Sequence, residues 1–159
     1  PTFVVMNRIA VFPGSFDPLT KGHEEIVRRA LPLFDTVIVA VGRNTSKSSM
    51  FTIEQRKQWL VDTFRSDPRV VVMELEGLTV DFCRHHQAQF ILRGIRNGAD
   101  FEYEQSIAQM NKAMHPAIET VLLFSDPSMS AINSTIVREI IKNKGDVSQF
   151  LPSSVDVYV

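Results

Sequence analysis

The stretch V-F-P-G-S-F-D-P-L-T-K-G-H, residues 11–23, holds the side chains best suited to chemistry. An apolar run at 8–12 breaks at Pro13-Gly14, turns through Asp17-Pro18 and enters a helical pattern near Gly22-His23. A strand, a small-residue turn and a helix start make an anion site. The first N–H groups of a helix lack intrahelical partners, and the dipole there favours negative charge. His23 sets an imidazole at the mouth of that site; a surface turn with a histidine at a helix start is the plain alternative. Asp17 also has two readings, a direct chemical role and an ordinary Asp-Pro turn former.

Three more polar segments join it. Residues 42–49, G-R-N-T-S-K-S-S, carry two cations. Lys47 is a flexible point charge able to reach a phosphate, with a solvated loop lysine as the alternative. Residues 92–100 put Arg93 and Arg96 three apart at a strand end, spaced by Gly94. Arginine forks match phosphate oxygens bidentately, and a glycine lets backbone approach a ligand closely. Asp100 is expected to cap the next helix. Residues 125–135 are nearly all small hydroxyl, proline and methionine. There Asn133-Ser134-Thr135 offers donors and a second helix N-terminus to an anion. His85 and His86 read as a solvated helix face, His115 as a helix-end residue suited to the dipole, and Trp59 and the methionines as core.

The elements that must position these segments alternate. Apolar runs at 8–12, 36–41, 69–75, 90–92 and 120–124 read as short buried strands. Five helical patterns lie between and after them. The first carries Ile26, Val27, Ala30, Leu31 and Phe34 on one face. The second starts at Thr52 with Gln55 as a capping box and buries Trp59, Leu60 and Phe64. The third covers about 80–87, the fourth about 101–114, and the fifth 134–144, stopped by Gly145 as a left-handed terminator. Strands alternating with helices predict an α/β fold: a single-domain, Rossmann-like, doubly wound, five-stranded parallel sheet over 1–159. Ligands of such sheets bind beyond the carboxyl ends of the strands, where strand order switches. That rule gathers the four polar segments on one edge.

Composition narrows the class further. The 159 residues are 44% hydrophobic and 22% charged, with a net charge of -1. This suits one globular domain and argues against a general nucleic-acid binder. One cysteine, Cys83, excludes an internal disulfide and a cysteine-rich metal site, and points to a reducing, cytoplasmic setting. No apolar run approaches the roughly 18 residues needed to span a bilayer, so no membrane role is expected. Residues 1–5 are too short for a signal peptide and read as an N-terminal extension before Met6.

The G-S-F-D-P…T-x-G-H pattern resembles the signature of the nucleotidyltransferase superfamily. From Met6 onward the chain resembles one family in it, the phosphopantetheine adenylyltransferases of bacterial type. The resemblance rests on P-G-S-F-D-P-L-T-K-G-H at 13–23, S-K-x-x-M-F-T at 46–52 and R-G-I-R-N-G-A-D-F-E-Y-E at 93–104. It continues through Q-M-N-K-A-M-H-P at 109–116 and I-N-S-T-I-V-R-E at 132–139. The 93–104 block is the specific part, since sister enzymes acting on nicotinate mononucleotide or glycerol phosphate lack it.

The resemblance implies reversible adenylyl transfer from ATP to 4′-phosphopantetheine, giving dephospho-coenzyme A and pyrophosphate in coenzyme A synthesis. A phosphate nucleophile with a second pKa of about 6 is mostly ionised near pH 7, so no general base is required. Positioning and charge stabilisation remain. By resemblance His23 donates to the α-phosphate in the transition state, and Ser15 and the Phe16 backbone hold phosphates at the first turn. Lys47 and Arg93 grip the acceptor phosphate, and Thr79 lines the pantetheine arm. Gly94, Ile95, Arg96 and Glu104 build much of the ATP site. Met129, Ser130, Ala131, Ile132, Asn133, Ser134 and Thr135 close over the triphosphate. Tyr103, Met110 and Asn111 lie on a helix lining the acceptor side. Mg²⁺, held mainly by phosphates and water, is the implied cofactor. A homohexamer and inhibition by coenzyme A are also implied.

Two departures stand out: Thr45 where the family usually has proline, and Asn133 for the first serine of I-S-S-T. A sister transferase with another acceptor and a catalytically silent ATP-binding module are the competing readings. The presence of His23, Lys47 and Arg93 weighs against the silent module.

Overall fold

The computed structural model describes residues 1–3, 6–43 and 48–158. Five strands, β1 (Ile9–Gly14), β2 (Thr36–Gly42), β3 (Val70–Leu75), β4 (Phe90–Ile95) and β5 (Glu119–Phe124), form one parallel sheet in the order β3-β2-β1-β4-β5. The helices are α1 (Lys21–Ala30), α2 (Ile53–Thr63), α3 (Thr79–His85), α4 (Gly98–Met114) and α5 (Ser134–Lys142), followed by a short 3-10 turn at Ser148–Phe150. Chain order reverses between β1 and β4, where the rule for open α/β sheets places a ligand. The Rossmann-like fold is the one expected.

Side-chain parity divides the core. Ala10, Phe12, Val37, Val39, Val41 and Leu92 point to one face and pack on Ile26, Val27, Trp59, Leu60 and Val137 of α1, α2 and α5. The intervening Val11, Ile38, Ala40 and Ile91 point to the other face, against Val80, Phe82 and Cys83 of α3. Period-two alternation with both faces buried is what near-continuous Val/Ile runs encode. Burial pushes the Cys83 thiol up to about 11, so it is an inert packing group. Helix α4 buries only Glu104 and leaves Tyr103, Ile107, Met110 and Met114 exposed.

Several boundaries differ from the sequence reading. β1 runs through Pro13 to Gly14 beside β2, with Pro13 opposite Ala40. Its pairing with β4 covers Ala10 and Val11 alone. The missing Pro13 N–H therefore falls where the second ladder has ended. Arg93 and Gly94 lie inside β4, and α4 begins at Gly98, so the third polar loop shrinks to Arg96 and Asn97. Asn97 is the N-cap, accepting from the Asp100 N–H at 2.9 Å; Asp100 is not the cap. The left-handed residue ending α5 is Lys144, φ 61, not Gly145. Bonds from Lys144 N to Ile141 O and Gly145 N to Ile140 O, both 2.9 Å, close a Schellman motif. Gly145 is required by crowding: a Cβ there would lie 2.5 Å from Ile140 Cγ2. The methionines are not core. Met6, Met110 and Met114 are exposed and Met50, Met73 and Met129 half-buried, whereas Trp59 is buried as expected.

Candidate active site

The first turn presents His23 in one chemical form. Thr20 is the N-cap of α1 and its hydroxyl receives the His23 N–H, while the Thr20 N–H donates to His23 Nδ1 at 3.0 Å. This is a capping box with histidine in the usual Glu/Gln place. A backbone N–H can only donate, so Nδ1 carries the lone pair and the proton sits on Nε2. Burial, then the charges of Arg93 and Arg96, push the imidazole down to about 4. The ring is therefore neutral at pH 7. It packs edge-on to Phe16, centroids 5.0 Å apart, and His23 is half-buried in the wall of the cleft. With Nδ1 turned back to Thr20, an Nε2–H donor faces that cleft.

Arg93 enters from β4, directly across the switch point. Its Nε lies 2.9 and 3.0 Å from the two Glu104 carboxylate oxygens, Nη2 lies 2.7 Å from Oε1, and Nη1 donates to Pro13 O at 2.7 Å. Glu104 is buried, so this pair is held in one geometry. Of the five N–H groups of an arginine, these contacts engage one on each nitrogen and leave one on each Nη. Arg96 is oriented similarly, its Nε and backbone N–H each 3.0 Å from Asp100 Oδ2. Gly94 works differently from expectation: a Cβ there would meet Ile26 Cγ1 at 3.0 Å, so the glycine lets α1 pack closely on β4.

The third wall is the start of α5. Asn133 caps it by accepting the Ile136 N–H at 2.8 Å, and the Ser134 hydroxyl donates to Pro18 O at 2.9 Å. Arg138, one turn on, donates to Asp17 O at 2.9 Å and Thr135 Oγ1 at 3.2 Å. The fold thus brings Ser15, His23, Arg93, Gly94, Arg96 and Glu104 to one cleft of about 390 Å³, with Met129, Ile132, Asn133, Ser134 and Thr135 opposite. Tyr103 also lines it. A larger open compartment of about 580 Å³ continues past Ser15 and Arg138 to Ser48, Ser49 and Lys142. On the far side of Arg93 and Glu104, a narrow groove runs between Thr79 and Asn111.

Some expected residues fall outside this constellation. Ile95 is buried behind it, the Ser130 hydroxyl turns back to Pro127 O, and Ala131 is exposed without lining the cleft. The Phe16 side chain is core, leaving only its backbone for a ligand. Met110 is exposed and lines neither the cleft nor the groove. Lys47 and Thr45 lie outside the described residues. His85 is exposed and His86 stacks on Phe82, away from the cleft; His115 lies 3.2 Å from Asp81 Oδ1. Asp17 is buried, and its carboxylate accepts the Met50 and Phe51 N–H groups, both at 2.9 Å. This occupation replaces the chemical reading of Asp17. Sequence reasoning missed Arg56 and Arg138, which look like solvated charges of amphipathic helices. The signal for Arg138 was its place one turn beyond an N-cap already suspected of holding an anion.

Comparison with known proteins then decides the family. Residues 11–140 match the cytidylyltransferase-like family model. A curated phosphopantetheine adenylyltransferase of Flavobacterium psychrophilum is 50% identical over 150 residues, covering 94% of this chain and 99% of that protein. One from Levilactobacillus brevis is 46% identical over 147 residues, covering 92% of this chain and 91% of its own length. This chain belongs to the phosphopantetheine adenylyltransferase family.

Among solved structures, the chain resembles a bifunctional NMN adenylyltransferase/ADP ribose pyrophosphatase from Francisella tularensis, TM-score 0.74 at 22% identity. That match covers 94% of this chain and 46% of the other, and shows a shared fold alone. Three of the family's motifs, 13–23, 93–104 and 132–139, fall in the structure on the first turn, on β4 with α4, and on the start of α5, the three walls of the cleft.

Proposed function

We propose that this chain transfers the adenylyl group of ATP to 4′-phosphopantetheine, reversibly, giving dephospho-coenzyme A and pyrophosphate. The observation that carries the reading is the neutral, tautomer-fixed His23 sharing one cleft with Arg93 and Arg96. An uncharged Nε2–H donor suits a non-bridging oxygen of the α-phosphate, where charge grows in the five-coordinate transition state. It does not act as a base, and the acceptor phosphate needs none.

In this reading Arg93, set by Glu104, holds the acceptor phosphate with Lys47. The pantetheine arm runs along the groove between Thr79 and Asn111. Ser15, the Phe16 N–H, Arg96, Arg138 and the α5 N-terminus hold the phosphates of ATP. The cleft's acidic side chains, Asp100 and Glu104, are engaged by arginines, so its free donors suit phosphate more than a metal ion. Mg²⁺ fits as an ion carried in on the phosphates with most of its waters, where it would neutralise their charge. No helix among the described residues is long and apolar enough to cross a membrane. A cytoplasmic location is proposed on the reduced, buried Cys83. A homohexamer is proposed from the family, and the exposed Ile107, Met110 and Met114 on α4 offer an apolar face on which copies of the chain could associate. Coenzyme A, sharing arm and adenylate with the product, is proposed as an inhibitor at the same cleft.

The reverse reaction is the test. Dephospho-coenzyme A plus pyrophosphate should generate ATP, read by luminescence, and His23→Ala should abolish most of it. ATP formation absent from folded wild-type protein would refute the reading.

A further inference from the structure

Arg56 sits on α2, where a charge in an amphipathic helix normally reaches water, yet it is 3% exposed. Its hydrogen bonds among the described residues all go to backbone carbonyls: Nε to Phe51 O at 3.1 Å, and Nη1 to Ser15 O at 2.7 Å and Gly42 O at 3.3 Å. Those carbonyls belong to three pieces of the site's rim: the turn after β1, the end of β2 and the approach to α2. Buried Asp17 answers from the turn, accepting the Met50 and Phe51 N–H groups. Phe51 is thus held at both its backbone polar groups by two buried charges of opposite sign.

Arg56 acts in the same way on the peptide that joins Ser15 to Phe16. A peptide unit is planar, with its C=O and N–H opposed. Pulling the Ser15 carbonyl onto Arg56 turns the Phe16 N–H away from Arg56. Phe16 has φ 48, a left-handed conformation disfavoured for a residue with a Cβ. Its ring is fixed against Phe12 and His23, centroids 5.6 and 5.0 Å away. Among the described residues nothing accepts the Phe16 N–H, and a buried amide normally has an acceptor. Ser15, on the same peptide, lines both the cleft and the compartment beside it.

We propose that Arg56 is a positioning residue for the nucleotide site: by holding the Ser15 carbonyl it aims the Phe16 amide at the anionic part of the nucleotide. The turn is then arranged before the ligand arrives, so the donor needs no reorganisation when charge develops. Arg56 itself touches no ligand. The inference rests on the nucleotide-binding part of the proposed function and not on the acceptor.

The test follows the amide directly. Protein labelled with ¹⁵N at its eleven phenylalanines is titrated with pyrophosphate and with ATP, as wild type, Arg56→Lys and Arg56→Gln. Arg56→Lys keeps the charge and the buried stem, so a fold defect and a positioning defect separate. Unmoved resonances of Phe82, Phe90, Phe101 and Phe124, on α3, β4, α4 and β5, report an intact fold. In wild type the Phe16 amide should shift on adding either ligand. Both variants should lose that shift, and their pyrophosphate Kd should rise on the order of ten-fold, as for one charge-assisted hydrogen bond. In the reverse reaction kcat should fall while the KM for dephospho-coenzyme A stays within about two-fold, because the acceptor groove is untouched. A wild-type Phe16 amide that ignores both ligands overturns the proposal without any variant. So does a folded variant that keeps the shift and the affinity. Neither titration uses an acceptor, so a wrong acceptor leaves this result standing.

Discussion

His23 acts, in this account, through a single N–H. Removing a preorganised donor to a developing charge costs ~10²–10³ in kcat. His23→Ala should lose that much while ATP affinity changes far less; steady-state kinetics beside calorimetric ATP binding checks it. The same ring makes stability depend on pH. Its native pKa is pushed down from 6.5 to about 4, so between those values the unfolded chain takes a proton that the native chain refuses. The stability from this group is whole above pH 6.5 and is lost as pH falls toward 4. His23→Gln should therefore show a shallower drop in Tm than wild type across that window. The acid limb of activity should instead follow the acceptor phosphate, near its second pKa of about 6. Arg93 carries a different signature, because Glu104 is buried against it. Arg93→Ala should raise the acceptor KM about ten-fold or more and also lower Tm by stranding the carboxylate. Adding Glu104→Gln should restore Tm and leave KM high. Arg93→Lys should rescue poorly, since a point charge cannot reproduce the fork. If Tm and KM recovered together, the pair would be structural only.

At the scale of elements, the pattern in the chain was most readable where one force dominates. Buried parallel strands are apolar runs, and the Thr52–Gln55 capping box stands in the sequence as it stands in the structure. The Thr20 box escaped notice because histidine takes the place of glutamate, although the same residue had already been singled out for chemistry. Arg56 and Arg138 were invisible for a physical reason. An arginine on a helix face looks the same whether it meets water or the carbonyls of a turn distant in sequence. Gly145 was read by its conformational freedom, whereas contact with Ile140 demands it. That distinction is testable. Gly145→Ala should destabilise by roughly 1–3 kcal/mol through overpacking. Lys144→Gly, relieving a left-handed lysine, should leave Tm unchanged or raise it. Urea melts of the two variants decide it, and the opposite ranking would return the glycine role to its backbone.

For the molecule as a whole, the sheet order explains why segments far apart in sequence share one cleft. The β1/β4 switch brings the first turn beside β4, α1 closes on Gly94, and α5 returns its N-terminus over the turn through Ser134 and Arg138. What the fold leaves open is the acceptor, since the same architecture serves a protein named as an NMN adenylyltransferase. The acceptor is therefore the central claim, and one comparison tests it most directly. Purified protein with Mg²⁺ and ATP is assayed for pyrophosphate release against 4′-phosphopantetheine, pantetheine, nicotinate mononucleotide and glycerol phosphate. The account predicts turnover with 4′-phosphopantetheine and essentially none with the others. Pantetheine should fail because it lacks both the ionised nucleophile and the dianion assigned to Arg93 in the proposed reading, and a site built for a charged group strongly rejects an analogue without it. Turnover with nicotinate mononucleotide and none with 4′-phosphopantetheine would contradict it.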